Sequence, residues 1–70
     1  MQQRLDAARQ ALAESRGRLR VALVHSAEAH RRAAEVMDAQ GHHERADWHR
    51  HAAEADFERA DQLQAELGNT

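Results

Sequence analysis

The sequence predicts an all-α protein folded as a two-helix hairpin, and three observations support this. The chain contains sixteen Ala, the residue with the highest helix propensity, and no Pro. Apolar residues recur at seven-residue intervals through the first forty residues, which is typical of one face of a long helix. Gly41 follows the last residue of that pattern, so we expect a helix end and a tight turn there.

The first helix is predicted over about residues 2–40. Its apolar stripe consists of Leu5, Ala8, Leu12, Ser15, Leu19, Ala22, Leu23, Ser26, Ala29, His30, Ala33, Val36 and Met37. Leu5, Leu12 and Leu19 repeat as in a coiled coil. Gly17 costs about 1 kcal/mol in a helix interior. Because the stripe keeps its phase across Gly17, a continuous helix is favoured over a break there, which would give a three-helix bundle.

The second helix is predicted over about residues 43–67, ended by Gly68. Its inward face consists of Ala46, His49, Ala53, Phe57, Ala60, Leu63 and Leu67. Folding the chain about Gly41 places Phe57 over Ser26 and lets the second helix cover only residues 16–40. Residues 1–15 then overhang by about 20 Å, at 1.5 Å per residue.

Seventy residues form a single domain, 1–70, whose small core favours association with a second subunit. The overhang exposes leucines that the second helix cannot reach, and an uncovered leucine seam is unfavourable for a monomer. We therefore expect a homodimer, either a four-helix bundle or a coiled coil. Its predicted interface is Leu5, Leu12, Leu19 and Leu23, and a further apolar patch for a protein partner is Trp48, Ala52 and Ala55.

The charge is unevenly distributed along the chain. Residues 1–20 hold five Arg against two acidic residues, a net charge of +3, whereas residues 21–70 hold five Arg against ten, a net charge of −5, giving −2 in total. Five Arg without aromatic residues are a weak indication of nucleic-acid binding, which is therefore not expected. A basic N-terminal segment that docks on the acidic helix of another copy explains the asymmetry equally well.

Cysteine is absent, which excludes disulfides and thiolate metal sites and fits a reducing compartment. We find neither a signal-peptide pattern nor the run of about 20 apolar residues that a membrane span needs. A cytoplasmic protein without membrane contact is therefore expected.

The six histidines raise the question of a metal site. His30 and His49 fall on inward faces with Asp56 nearby. A polar layer that fixes helix register is the favoured interpretation; a divalent metal bound by His30, His49 and Asp56, completed across a dimer, is the alternative. His43, Asp47 and His51 share another face at i, i+4, i+8 spacing, which a metal could also use. That strip points outward, so a solvated face is favoured for it.

Catalysis is not expected. The chain has neither Cys nor Lys as a nucleophile, its Ser15 and Ser26 lie within a helical stripe, and two helices form no cleft. No catalytic residues are assigned.

From His30 onward the spacing resembles one tetratricopeptide-type hairpin. In that pattern a loop glycine is followed by a small residue five positions later and another seven after that, here Gly41, Ala46 and Ala53. The chain also resembles short actinobacterial helical hairpin proteins rich in Ala, Arg, Glu and His. The tetratricopeptide resemblance covers about half of the chain; it implies a hairpin with a binding role and assigns no functional residues.

The sequence as a whole predicts a non-enzymatic module for protein–protein interaction or scaffolding, which self-associates through its leucines. The alternative is a metal-binding helical bundle that uses His30, His49 and Asp56.

Overall fold

A computed structural model describes residues 2–68 as two helices packed side by side. Helix α1 spans Gln2–Ala39 and helix α2 spans His43–Gly68. The hairpin is thin and elongated, with extents of 59 × 15 × 12 Å. Arg16 pairs with Glu66 far from the turn and His30 contacts His49 nearer to it, so the helices run antiparallel. The predicted all-α hairpin is confirmed.

The turn between the helices is set by Gly41. Its φ of +81° lies in the left-handed region, which favours glycine. The amide of His42 donates to the carbonyl of Met37 (2.8 Å), and the amide of Gly41 donates to that of Asp38 (3.0 Å). These two bonds form a Schellman motif, which satisfies the last carbonyls of α1. The His42 carbonyl then accepts from the amide of Ala46, which starts α2.

Helix α1 continues through Gly17 without interruption. The continuous helix that the sequence favours is therefore confirmed, and the break with a three-helix bundle is wrong. A Cβ added at Gly17 would meet no described atom within 4 Å, so packing does not demand glycine at this position.

The core of the hairpin is built almost entirely from alanine. The buried side chains within residues 2–68 are Ala27, Ala34, Ala46, Ala53, Ala60 and Leu63. Small side chains at a helix contact let the two backbones approach closely, because interaxial distance depends on the residues at the contact. The predicted inward face of α2 is confirmed, with His49, Phe57 and Leu67 half-buried at its margins.

The side of α1 that faces α2 is rotated by about 100° from the predicted apolar stripe, of which only Leu23, His30, Ala33 and Met37 are half-buried. Ala27 and Ala34 face α2, whereas the expected Ser26 is exposed and Ala33 is only half-buried. A shift of one residue along a helix is a rotation of 100°. The physical reason is that the alanine row of α2 packs most closely against another alanine row. Where α2 covers α1, the positions that continue the leucine repeat are Ser26 and Ala33. Rotating this face of α1 away from α2 therefore leaves few leucines uncovered in that part of the hairpin.

The N-terminal part of α1 extends beyond α2. Every residue from Gln2 to Leu12 is exposed, and Ala13 is the first that is partly covered. Arg16 and Glu66, whose Nε and Oε2 atoms are 3.5 Å apart, mark the end of helix pairing. The sequence predicts an overhang of residues 1–15, and in the structure residues 2–12 are exposed beyond α2. Met1 lies outside the described residues.

Neither α1 nor α2 combines the length and the apolar character that crossing a membrane requires.

We expect the close alanine contact to be intolerant of larger side chains. Ala53→Leu should lower the free energy of unfolding by about 1–3 kcal/mol, because overpacking forces the helices apart. Ala65→Leu, at an exposed position on the same helix, is the matched control and should change it by less than about 0.5 kcal/mol. Urea unfolding at one fixed protein concentration measures both. Equal effects of the two substitutions would contradict close packing at Ala53.

Candidate functional site

Three aromatic side chains meet on one side of the hairpin. His30 on α1 and His49 on α2 approach each other with their Nδ1 atoms 2.8 Å apart. Trp48 lies edge-on to both rings, with centroid distances of 5.6 Å to His30 and 5.0 Å to His49. We call His30, Trp48 and His49 the histidine–tryptophan cluster. Its two histidines are half-buried, whereas Trp48 remains 62% exposed.

The contact between the histidines constrains their protons. For Nδ1 to bond Nδ1, one ring must donate its Nδ1–H while the other accepts through an unprotonated Nδ1. The bond therefore couples the tautomers of the two rings across the helix interface. It also ties position 30 of α1 to position 49 of α2, which opposes sliding of one helix along the other. This geometry favours the polar layer that the sequence predicts at these two positions.

Asp56 does not join this cluster through a hydrogen bond. Its Oδ2 atom is buried and has no hydrogen-bond partner within the described residues. Asp56 follows His49 by two helical turns and is half-buried on the same side of α2. Across residues 2–68, no three His, Asp or Glu side chains come close enough together to hold a metal ion. The structure thus brings together two of the three predicted ligands, His30 and His49.

The second predicted metal strip is divided among separate contacts. His43 Nδ1 lies 2.8 Å from Asp38 Oδ1, and Asp47 accepts from Arg50 at 2.6 Å. His51 donates its Nδ1–H to the carbonyl of Asp47, at 2.7 Å. All three strip residues are exposed, as expected for a solvated face.

A polar group beside the turn was missed by sequence reasoning. Asp38 near the end of α1 accepts from both His43 and Arg50 of α2. The Asp38 carboxylate therefore connects the two helices beside the turn at Gly41. The contact depends on how the turn places α2 beside Asp38, so the sequence offered no specific signal for it.

The opposite side of the hairpin carries a different contact. The guanidinium of Arg31 lies 4.5 Å from the ring centroid of Phe57, a cation–π geometry. Glu54, Glu58 and Asp61 surround this pair in a shallow, open groove. Phe57 therefore pairs with Arg31 rather than lying over Ser26, which is exposed.

The predicted interface leucines lie on the same side as the histidine–tryptophan cluster. Leu5, Leu12 and Leu19 are 57%, 50% and 46% exposed. Leu23 is half-buried, and His30 follows it by two turns on the same side of α1. We call this side the leucine flank, defined by Leu5, Leu12, Leu19 and Leu23 together with the cluster.

The predicted partner patch belongs to the leucine flank as well. Trp48 reaches His30, and Ala52, one turn further along α2, is half-buried; Ala55 is exposed. The sequence predicts the leucine seam and the tryptophan patch as two separate surfaces. The ring contact between His30 and Trp48 joins them into one, and a helical wheel of either helix alone could not show this.

We expect the two histidines to be energetically coupled. In a double-mutant cycle, His30→Ala and His49→Ala should show a coupling of about 1 kcal/mol in the free energy of unfolding, the typical worth of one protein hydrogen bond. The control cycle pairs His49→Ala with His25→Ala, since His25 is exposed. That control should give no coupling beyond about 0.5 kcal/mol, and an equal result in both cycles would contradict the contact.

Comparison of this chain with protein-family models, with curated protein sequences and with solved structures finds no match. The resemblance to tetratricopeptide and actinobacterial helical hairpins therefore stays a prediction.

Proposed function

We propose that this protein is a non-enzymatic interaction or scaffolding module that self-associates through its leucine flank. The observation that carries the proposal is the exposure of the leucine repeat. Leu5, Leu12 and Leu19 each expose about half of their side chains to water on one side of α1. Contiguous exposed apolar side chains are a feature of interaction sites.

The burial pattern supports association in a second way. Of the described residues, Leu63 is the only large side chain that is fully buried; the remaining core is alanine. Alanine removes little apolar area from water on folding, so such a core contributes little stability. A second copy that covered the leucines would supply apolar burial that the single hairpin lacks.

A matched pair of substitutions tests this proposal. Leu19 and Val21 are both 46% exposed on α1, but two residues apart they point to opposite sides of the helix. Leu19→Glu places one carboxylate in the interface from each copy, and we expect it to weaken dimerisation at least about 100-fold, corresponding to roughly 3 kcal/mol. Val21→Glu should leave dimerisation within about threefold of the parent protein.

Sedimentation at concentrations from micromolar to high micromolar gives the dissociation constants. A parent protein that remains monomeric at high micromolar would overturn the proposal. So would equal weakening by the two substitutions, since the leucine flank would then hold no special role.

A second candidate function is divalent metal binding, favoured by the approach of His30 and His49. Their Nδ1 atoms are 2.8 Å apart, and two nitrogen ligands each about 2.0–2.1 Å from one tetrahedral zinc ion lie about 3.3 Å apart, so the rings would have to separate by only about 0.5 Å. Asp56, with its buried and unpartnered Oδ2, would have to move to supply the third ligand. A further ligand would come from water or another copy.

Melting with added zinc, and with chelator, tests this second candidate on protein purified without a tag. Binding at the histidine pair predicts that zinc raises the melting temperature of the parent protein and of His51→Ala, but not of His49→Ala. If zinc instead raises the melting temperature of the parent protein and of His49→Ala but not of His51→Ala, the strip of His43, Asp47 and His51 is favoured. An unchanged melting temperature in all three proteins would contradict metal binding.

A further inference from the structure

We propose that the second copy packs antiparallel on the leucine flank, so that its N-terminal overhang covers the histidine–tryptophan cluster. This inference rests on the proposed self-association and adds its orientation and register. It also assigns an occupant to the Trp48 surface, namely the segment of another copy around Leu5 and Leu12.

Side-chain sizes along α1 favour an antiparallel pair. The leucine repeat Leu5, Leu12 and Leu19 continues at the same spacing as Ser26 and Ala33. If two copies run antiparallel with Leu19 at the centre, Leu5 of each copy faces Ala33 of the other, and Leu12 faces Ser26. Large residues then meet small ones along the contact, which fills space evenly. A parallel arrangement would instead set leucine against leucine at one end and small residues against small residues at the other.

The distribution of charge also favours an antiparallel pair. Residues 1–20 carry a net charge of +3 and residues 21–70 a net charge of −5. An antiparallel pair places each basic N-terminal segment along residues 21–38 of the other copy, which hold three acidic residues against two Arg. A parallel pair would set the two basic segments side by side, and juxtaposed like charges oppose association.

The antiparallel register brings the N-terminal overhang of one copy to Trp48 of the other. Trp48 contacts His30, and Ala33 follows His30 by less than one turn of α1. In the antiparallel register, Leu5 of the second copy lies level with Ala33 and therefore close to Trp48. The side chain of Trp48 is 62% exposed, the largest exposed fraction among the large hydrophobic residues of the described chain. The overhang of one copy thus covers the aromatic surface of the other, and the arrangement is reciprocal.

Pulsed electron paramagnetic resonance between spin labels tests the orientation on the full chain. The protein has no cysteine, so Gln3→Cys and Val21→Cys each introduce a single labelling site. Both positions are exposed and lie on the side of α1 away from the leucines. In the antiparallel dimer the labels at position 21 should be about 30 Å apart, and those at position 3 about 55 Å apart, at 1.5 Å per residue along the axis.

The alternative outcomes separate the two proposals. Distances of about 30 Å at both positions would show a parallel dimer, which overturns the orientation but keeps self-association. The absence of any interchain distance at high micromolar, with a monomer in sedimentation, would overturn both. If a different protein binds at Trp48 and this chain does not self-associate, both proposals are likewise overturned.

Tryptophan fluorescence supplies an independent measurement of the covered surface. Trp48 is the only tryptophan and the chain has no tyrosine, so its emission reports this surface alone. We expect the emission to shift to shorter wavelength as concentration drives dimerisation, and Leu5→Glu should abolish the shift. A dimer whose Trp48 emission stays unchanged would contradict coverage by the overhang.

Discussion

Close contact between two rows of alanine organises this hairpin. Ala27 and Ala34 on α1, and Ala46, Ala53 and Ala60 on α2, are the alanines buried between the two helices. Because these side chains are short, the helices can pack at small separation, and that contact determines how each helix is rotated. The rotation in turn decides which residues lie at the edges of the interface. His30 and His49 meet at one edge, and Arg31 meets Phe57 at the other.

The rotation also determines what the protein presents to its surroundings. Because Ala27 and Ala34 face α2, Leu19 stays at the side of the contact, where it continues the row of Leu5 and Leu12 from the part of α1 that α2 does not reach. The contact between His30 and Trp48 extends that row onto α2. The rotation of α1 that allows close packing of the two helices therefore also creates a continuous apolar flank. A thin core and an uncovered flank are complementary features, since a second subunit would compensate for both.

Much of the fold was predictable from local chemistry. Gly41 produced the turn because the left-handed conformation of a helix C-terminus favours glycine. The inward face of α2 followed from its regular alanines, which no competing leucine row disturbs. Helix α1 carries a row of leucines and a row of alanines, and hydrophobicity alone predicts that the leucines face α2. The structure selects alanine because the partner helix, rather than the hydrophobicity of α1, decides which row packs best.

The sequence by itself determined that this chain is helical, where it turns, and which residues form the inward face of α2. These properties depend on helix propensity, on the conformational freedom of glycine and on periodicity within one segment. Only the tertiary structure decided the rotation of α1, the 2.8 Å contact between His30 and His49, the separation of Asp56 from that pair, and the union of the leucines with Trp48. Each of these depends on the relative placement of two helices, which the periodicity of either helix alone does not define.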